Sequence, residues 1–206
     1  MFNKLVYVVD AGNKRISVFN ADNGSFVRVF GERGSDYNQL AGPNAIALDK
    51  AGHVFVSDKG NFRIQAYNTD DSPLRMSGSN GSKLGEFSGF GPAGVVIDAT
   101  DTLFVADTSR DQVDLYDYLG KYIGFFGGSG NTPGHLKAPV GVAIDKLGRI
   151  LVADRDNKRV SIFGPDGKFI DVKPVGESSE PTFVAADAAG VIYVTDVKNN
   201  RIVVLQ

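Results

Sequence analysis

The sequence predicts an all-β fold built as a radial array of small antiparallel sheets, and three observations carry that prediction. Five short apolar runs each end in aspartate: LVYVVD, HVFVSD, TLFVAD, RILVAD and VIYVTD close at Asp10, Asp58, Asp107, Asp154 and Asp196, in steps of 48, 49, 47 and 42 residues. Between them stands a second repeated block, Pro43–Asp49 (PNAIALD), Pro92–Asp98 (PAGVVID), Pro139–Asp145 (PVGVAID) and Pro181–Asp187 (PTFVAAD); the next anchoring aspartate always follows 9 residues later. No segment carries a sustained helical period. A period in the forties with strand-like content means units that bury their faces only against each other.

Each unit parses into four short strands, with the second copy as the type. Strand a (NAIALD) is small, branched and apolar at nearly every position, as expected of a crowded strand covered on both faces. Strand b (HVFVSD) is rich in Val and Phe, and strand c (RIQAYN) follows the anchoring aspartate by five residues. Strand d (PLRMSGS) leads into a glycine-rich loop. Runs of this composition bounded by Gly, Pro, Asn and Asp are strand signals. The a–b turns carry Asp49 with Gly52, Asp145 with Gly148 and Asp187 with Gly190. The c–d turns carry Asn23-Gly24 and Asp166-Gly167, which is hairpin chemistry.

The units fall at 1–39, 40–88, 89–136, 137–178 and 179–206 of a single domain. By register the first lacks strand a and the fifth lacks strand d, which leaves eighteen strands. Four-stranded antiparallel units repeated in this way are propeller blades, about five of them here. The expectation is an incomplete ring whose bare terminal blades invite self-association.

Bulk composition is globular: 206 residues, 42% hydrophobic, 22% charged, with a formal net charge of −2. That balance gives no global pull toward nucleic acid or an anionic membrane. There is no cysteine, and no apolar stretch approaches the roughly 18–20 residues of a membrane helix. The expectation is a soluble chain without membrane insertion. MFNKLVYVVD enters a strand at once, unlike a signal peptide, and nothing in the sequence assigns a compartment.

After each anchoring aspartate come Asn and Arg at fixed offsets: Asn13 and Arg15, Asn61 and Arg63, Asn157 and Arg159, Asn199 and Arg201. The third copy departs from this, with Arg110 and Gln112 in those places. Pro-x-Gly-apolar-Asp, then Tyr/Phe-Val-x-Asp, then Asn-x-Arg-Ile/Val, then Phe-Gly with a Gly-rich loop, resembles the NHL repeat over essentially the whole chain. The fourth unit, ending KFIDVKPVG, lacks the Phe-Gly. The resemblance implies a propeller, usually closed as six blades, that serves as a sensor or scaffold part of larger proteins.

The recurring pairs Asp10–Arg15, Asp58–Arg63, Asp154–Arg159 and Asp196–Arg201 read as a structural brace, because a site needs such groups only once whereas a repeat needs them in every blade. The turn residues between them are more informative about binding. The five positions after each anchoring aspartate sum to +8, or +3 once the aspartates are counted, and the d–a loops on the same face sum to about −1. The candidate binding face is therefore mildly basic. It comprises Lys14, Lys59, Arg110, Arg155, Lys158 and Lys198, with Tyr37, Phe62, Phe90 and His135 as exposed contacts.

No phosphate loop and no nucleophile elbow is present. The two histidines, His53 in an a–b turn and His135 in a d–a loop, are expected at opposite ends, so neither catalytic residues, a metal site nor a cofactor is predicted. The first functional reading is a non-catalytic scaffold that binds a protein or small ligand through the b–c turns and d–a loops. The second, implied by resemblance to NHL modules of tripartite-motif ubiquitin ligases, is RNA binding, for which only the basic face speaks. The third is a metal-dependent propeller lyase or hydrolase, against which the shortage of histidine speaks.

Overall fold

A computed structural model describes residues 4–206. The first sheet holds β1 (Leu5–Asp10), β2 (Arg15–Asn20) and β3 (Phe26–Phe30), and a short parallel pair, β4 (Glu32–Arg33) and β5 (Gln39–Leu40), follows in the d–a loop. The second is β6 (Pro43–Leu48), β7 (Val54–Asp58), β8 (Arg63–Tyr67) and β9 (Pro73–Ser77). The third is β10 (Pro92–Ile97), β11 (Leu103–Asp107), β12 (Gln112–Tyr116) and β13 (Tyr122–Gly127). The fourth is β14 (Pro139–Ile144), β15 (Ile150–Asp154), β16 (Arg159–Phe163) and β17 (Phe169–Pro174). The fifth is β18 (Pro181–Ala186), β19 (Ile192–Asp196) and β20 (Arg201–Leu205).

Strand order in every blade follows chain order, and all blade neighbours pair antiparallel. The eighteen blade strands fall as three, four, four, four and three, so the protein is an all-β propeller with five blades represented. Anchor and arginine positions face each other across the b–c turn, as in Asp58 opposite Arg63 and Asp154 opposite Arg159. The only helical pieces among the described residues are two 3-10 turns, Lys59–Asn61 and Val197–Asn199, and no helix is long and apolar enough to cross a membrane.

The turn chemistry does what its residues require. Asp49 Oδ1 accepts the His53 amide at 2.8 Å and Asp145 Oδ1 accepts the Arg149 amide at 3.0 Å. Gly52 sits at φ +92°, a left-handed conformation that a side chain would oppose.

Among the described residues the core consists of four apolar clusters, one at each junction between consecutive blades. Ile16, Val18 and Phe30 meet Val56 and Tyr67 at the first; Phe55 and Ile64 meet Val105 and Tyr116 at the second. Phe104 and Phe126 meet Val152 and Phe163 at the third, and Leu151 and Ile162 meet Val184 and Val194 at the fourth. Each such side chain, fully buried, contributes on the order of 1.5–3 kcal/mol relative to exposure.

Blades two, three and four are covered on both faces, so β7, β11 and β15 are buried at every position. In β1 and β19 burial alternates instead. Leu5, Tyr7 and Val9 pack on the second blade, while Val6 and Val8 are 40% and 42% exposed. In the fifth blade Tyr193, Ile202 and Val204 lie bare on the face turned away from the fourth.

The innermost strands approach closely. A Cβ on Gly94 would stand 2.6 Å from the Val140 carbonyl oxygen, and one on Gly141 would stand 2.5 Å from the Thr182 carbonyl oxygen. The same position of the fifth blade holds Phe183, which is 45% exposed and, with Val9, lines a central hollow of about 290 Å³.

Candidate functional site

The b–c turns and d–a loops share one end of the propeller, and the anchoring aspartates knit them together. Asp58 Oδ1 accepts the amides of Ala41 and Gly42 at 3.0 and 2.8 Å, at the close of the loop that enters its blade. Asn61 joins its Oδ2 to the Gly34 carbonyl, at 2.6 and 2.9 Å. Arg63 donates to the carbonyls of Ser35, Asp36 and Gln39 at 3.0, 2.7 and 2.6 Å.

The fourth blade repeats this geometry. Arg159 Nε lies 2.8 Å from Asp154 Oδ2, and its two terminal nitrogens reach the carbonyls of Asn131, Thr132 and His135. A planar fork of donors suits a turn of carbonyls better than an ammonium would.

The end blades make fewer such bonds. Arg15 donates to Asp10 at 2.9 Å, and Asn13 supports the same carboxylate. Arg201 donates to Asp196 at 2.9 Å but its side chain is 53% exposed. Removal from solvent works against the Asp196 charge, yet hydrogen bonds from Asn199, the Glu180 amide, Ser179 and Arg201 hold its carboxyl well below the usual range.

The third blade is wired differently. Arg110, from an earlier turn position, donates to the Lys83 carbonyl at 2.8 Å and stands 3.7 Å from Asp107 Oδ2. Gln112 donates instead to Asp114 at 2.6 Å, and among the described residues Oδ2 of both Asp107 and Asp114 has no hydrogen-bond partner. Burial pushes both carboxyls up, that of Asp114 to about 7.

Of the predicted binding residues, two groups come together. Arg155, Lys158 and Lys198 surround a hollow of about 500 Å³ between the fourth and fifth blades, joined by Lys137, Asp156, Ser179 and Glu180. Lys59 and Phe90 line a smaller hollow of about 80 Å³ that Arg155 also borders. Lys59 Nζ sits 5.2 Å from the Phe90 ring centroid, a cation–π contact.

The other predicted residues lie outside both hollows. Lys14 takes a left-handed conformation at φ +58°, Tyr37 donates its hydroxyl to the Leu74 carbonyl at 2.9 Å, and His135 Nδ1 is 2.9 Å from Thr132 Oγ1. Phe62 is no exposed contact: it is half-buried, packed on the cluster between blades two and three. The left-handed turn at φ +55° that positions it was not legible in KGNFR.

Lys137 and Ser179, which line the larger hollow, were not singled out from the sequence, because the d–a loops were weighed only by summed charge. His53 pairs with Asp49 at 2.7 Å in an a–b turn, at the end opposite His135. Among the described residues no three His, Asp or Glu side chains are grouped to hold a metal ion.

A model of the NHL repeat matches residues 40–67, 136–163 and 179–205. The chain carries NHL repeats. Each matched NHL span runs through strands a, b and c of blades two, four and five, and the third blade, where Gln112 replaces the arginine, is not among them.

The NHL chain is 28% identical over 124 residues to Protein brain tumor of Drosophila melanogaster; the match covers 59% of this chain and 11% of that protein, so it spans about a tenth of the relative's length. By shape it is similar to a chain of a nidogen/laminin complex, with TM-score 0.78 and 21% identity over 100% of this chain and 72% of that one. A streptogramin B lyase aligns with TM-score 0.73 and 16% identity, over 98% and 65%. A catalytically inactive virginiamycin B lyase from Staphylococcus aureus with quinupristin aligns with TM-score 0.72 and 10% identity, over 100% and 67%. At these identities the structural likenesses establish the fold.

Proposed function

We propose that this NHL-repeat chain is a non-catalytic binding module whose ligand surface is the end built from the b–c turns and d–a loops. One observation carries the reading. At that end the anchoring aspartates are committed to turn amides and to their arginines, while Lys137, Lys158 and Lys198 border an open hollow without an ion pair among the described residues.

A rigid sheet scaffold with committed anchors fixes loop positions, and the unit-specific residues between the anchors then select the partner. The likeness to a chain of a nidogen/laminin complex supports a protein partner. Against the alternative of propeller lyase chemistry stands the placement of the histidines at opposite ends, each already engaged by a neighbour.

Partner co-purification tests this reading. The full chain, a Lys59→Glu/Lys158→Glu/Lys198→Glu variant, and a Lys121→Glu/Lys146→Glu variant of the opposite end are compared as baits. Loss of the same partners only in the first variant supports the placement; equal loss in both rejects it.

A further inference from the structure

The hollow between the fourth and fifth blades has a composition that names its ligand. Four cations, Lys137, Arg155, Lys158 and Lys198, surround it against two acids, Asp156 and Glu180, an excess of positive charge on a chain whose net charge is −2. Asp156 is engaged by Arg155 at 2.9 Å, which leaves three ammonium groups against the single carboxylate of Glu180. Their flexible point charges suit carboxylates that arrive one by one along an extended chain. The volume of about 500 Å³ lies within the roughly 300–1,000 Å³ of ligand sites generally.

Resting on the binding-module reading above, we infer that this hollow docks an acidic peptide segment, which continues past Arg155 toward Lys59. Arg155 borders both hollows, so basic side chains reach from the fifth blade toward the second. A single-stranded nucleic acid would need aromatic faces on which bases stack. Phe90, the exposed ring at these hollows, carries the Lys59 ammonium over one face; Phe62 is half-buried against the cluster between blades two and three, and the Tyr37 hydroxyl is tied to the Leu74 carbonyl outside both hollows. At these hollows cations outnumber exposed aromatic rings, with Phe90 the exposed ring among their lining residues, which favours carboxylates over bases.

Titration calorimetry on the full chain tests the assignment with three probes: an end-capped octaglutamate peptide, inorganic phosphate, and an octauridylate RNA. Octaglutamate is expected to bind, more weakly as salt rises. Lys158→Glu/Lys198→Glu is expected to weaken it by about tenfold or more, Lys198→Gln by less, and Lys121→Glu at the opposite end by under about twofold. Melting temperatures of the variants show that each is folded.

The inference is overturned if octaglutamate does not bind, if Lys121→Glu costs as much as the double reversal, or if octauridylate binds more tightly. Phosphate binding as tightly as the peptide would reassign the hollow to a single anion. If octaglutamate fails while co-purified partners still depend on this end, the acidic-peptide assignment falls and the binding-module reading stands.

Discussion

Ser161 donates its hydroxyl to Asp154 Oδ2 at 3.0 Å, and in the third blade the corresponding strand position is held by Asp114. A neutral donor beneath an anchoring carboxylate is thereby replaced by a second carboxyl beside Asp107. Both are fully buried, with Arg110, Asp111, Tyr116 and Tyr122 as the other ionisable groups nearby. Burial first, and the Asp107 charge second, keep Asp114 protonated up to about pH 7, against the hydrogen bond from Gln112.

The pH dependence follows with a definite sign. An unfolded Asp114 ionises near its ordinary value of about 4, so between there and pH 7 the unfolded state loses a proton that the folded state retains. Stability contributed here is complete below pH 4, falls as pH rises, and levels off above 7. Asp114→Asn should remove that fall: the difference in denaturation midpoint between variant and wild type should grow from pH 4 to 7 and then hold constant. A difference independent of pH would show that Asp114 is charged throughout.

Arg63→Ala should lower stability toward the upper end of the usual range of about 0.5–3 kcal/mol, because it orphans three loop carbonyls at a buried site. Arg201→Ala should fall toward the lower end, its side chain being half in solvent. Lysine should not rescue position 63, since one ammonium cannot span three carbonyls. Urea denaturation of the four chains checks the order, and equal losses at 63 and 201 would contradict it.

Gly141→Ala should cost about 1–3 kcal/mol, because its methyl would press on the Thr182 carbonyl and the Phe183 backbone, which lie in a sheet that cannot step aside. Gly12→Ala meets no atom within 4 Å and should stay within about 0.5 kcal/mol of wild type. Thermal melts of the two variants separate crowding from a general intolerance of glycine replacement.

Ile202 and Val204 are 65% and 55% exposed on one strand, beside Tyr193 on the same face. A contiguous apolar surface of this kind binds hydrophobic dyes. Ile202→Lys/Val204→Glu should therefore reduce anilinonaphthalene sulfonate fluorescence markedly. Leu147→Lys, which removes an equally exposed but isolated side chain, should change it little.

Much of the fold was legible because its signals are local and repeated. Pro43, Pro92, Pro139 and Pro181 each open an innermost strand, and each anchoring aspartate closes the next strand or stands at its end. The parallel pair Glu32–Arg33 with Gln39–Leu40 was not legible, since two residues carry no periodicity. At the candidate site, turn charge alone pointed to Arg155, Lys158 and Lys198, which the structure places around the larger hollow. Lys137 and Ser179 escaped because their nearness to those turns depends on how a loop from one blade lies over its neighbour, which is a long-range fact. Arg110 was placed on the candidate binding face; its carbonyl partner Lys83 lies 27 residues away and no spacing rule reaches it.

Phe183 bears on how such a ring can lengthen. Propellers grow by tandem duplication of whole units, and each added copy must seat its innermost strand against the one before. Gly94 and Gly141 leave room for that step, with their absent side chains taken up by the next blade's backbone. In the fifth blade a phenyl ring takes that place, so a further blade could not seat its innermost strand there as closely as the fifth seats on the fourth. The position thus marks a change in how tightly neighbouring innermost strands can approach, at a single aromatic residue in a column otherwise given to Ala and Gly.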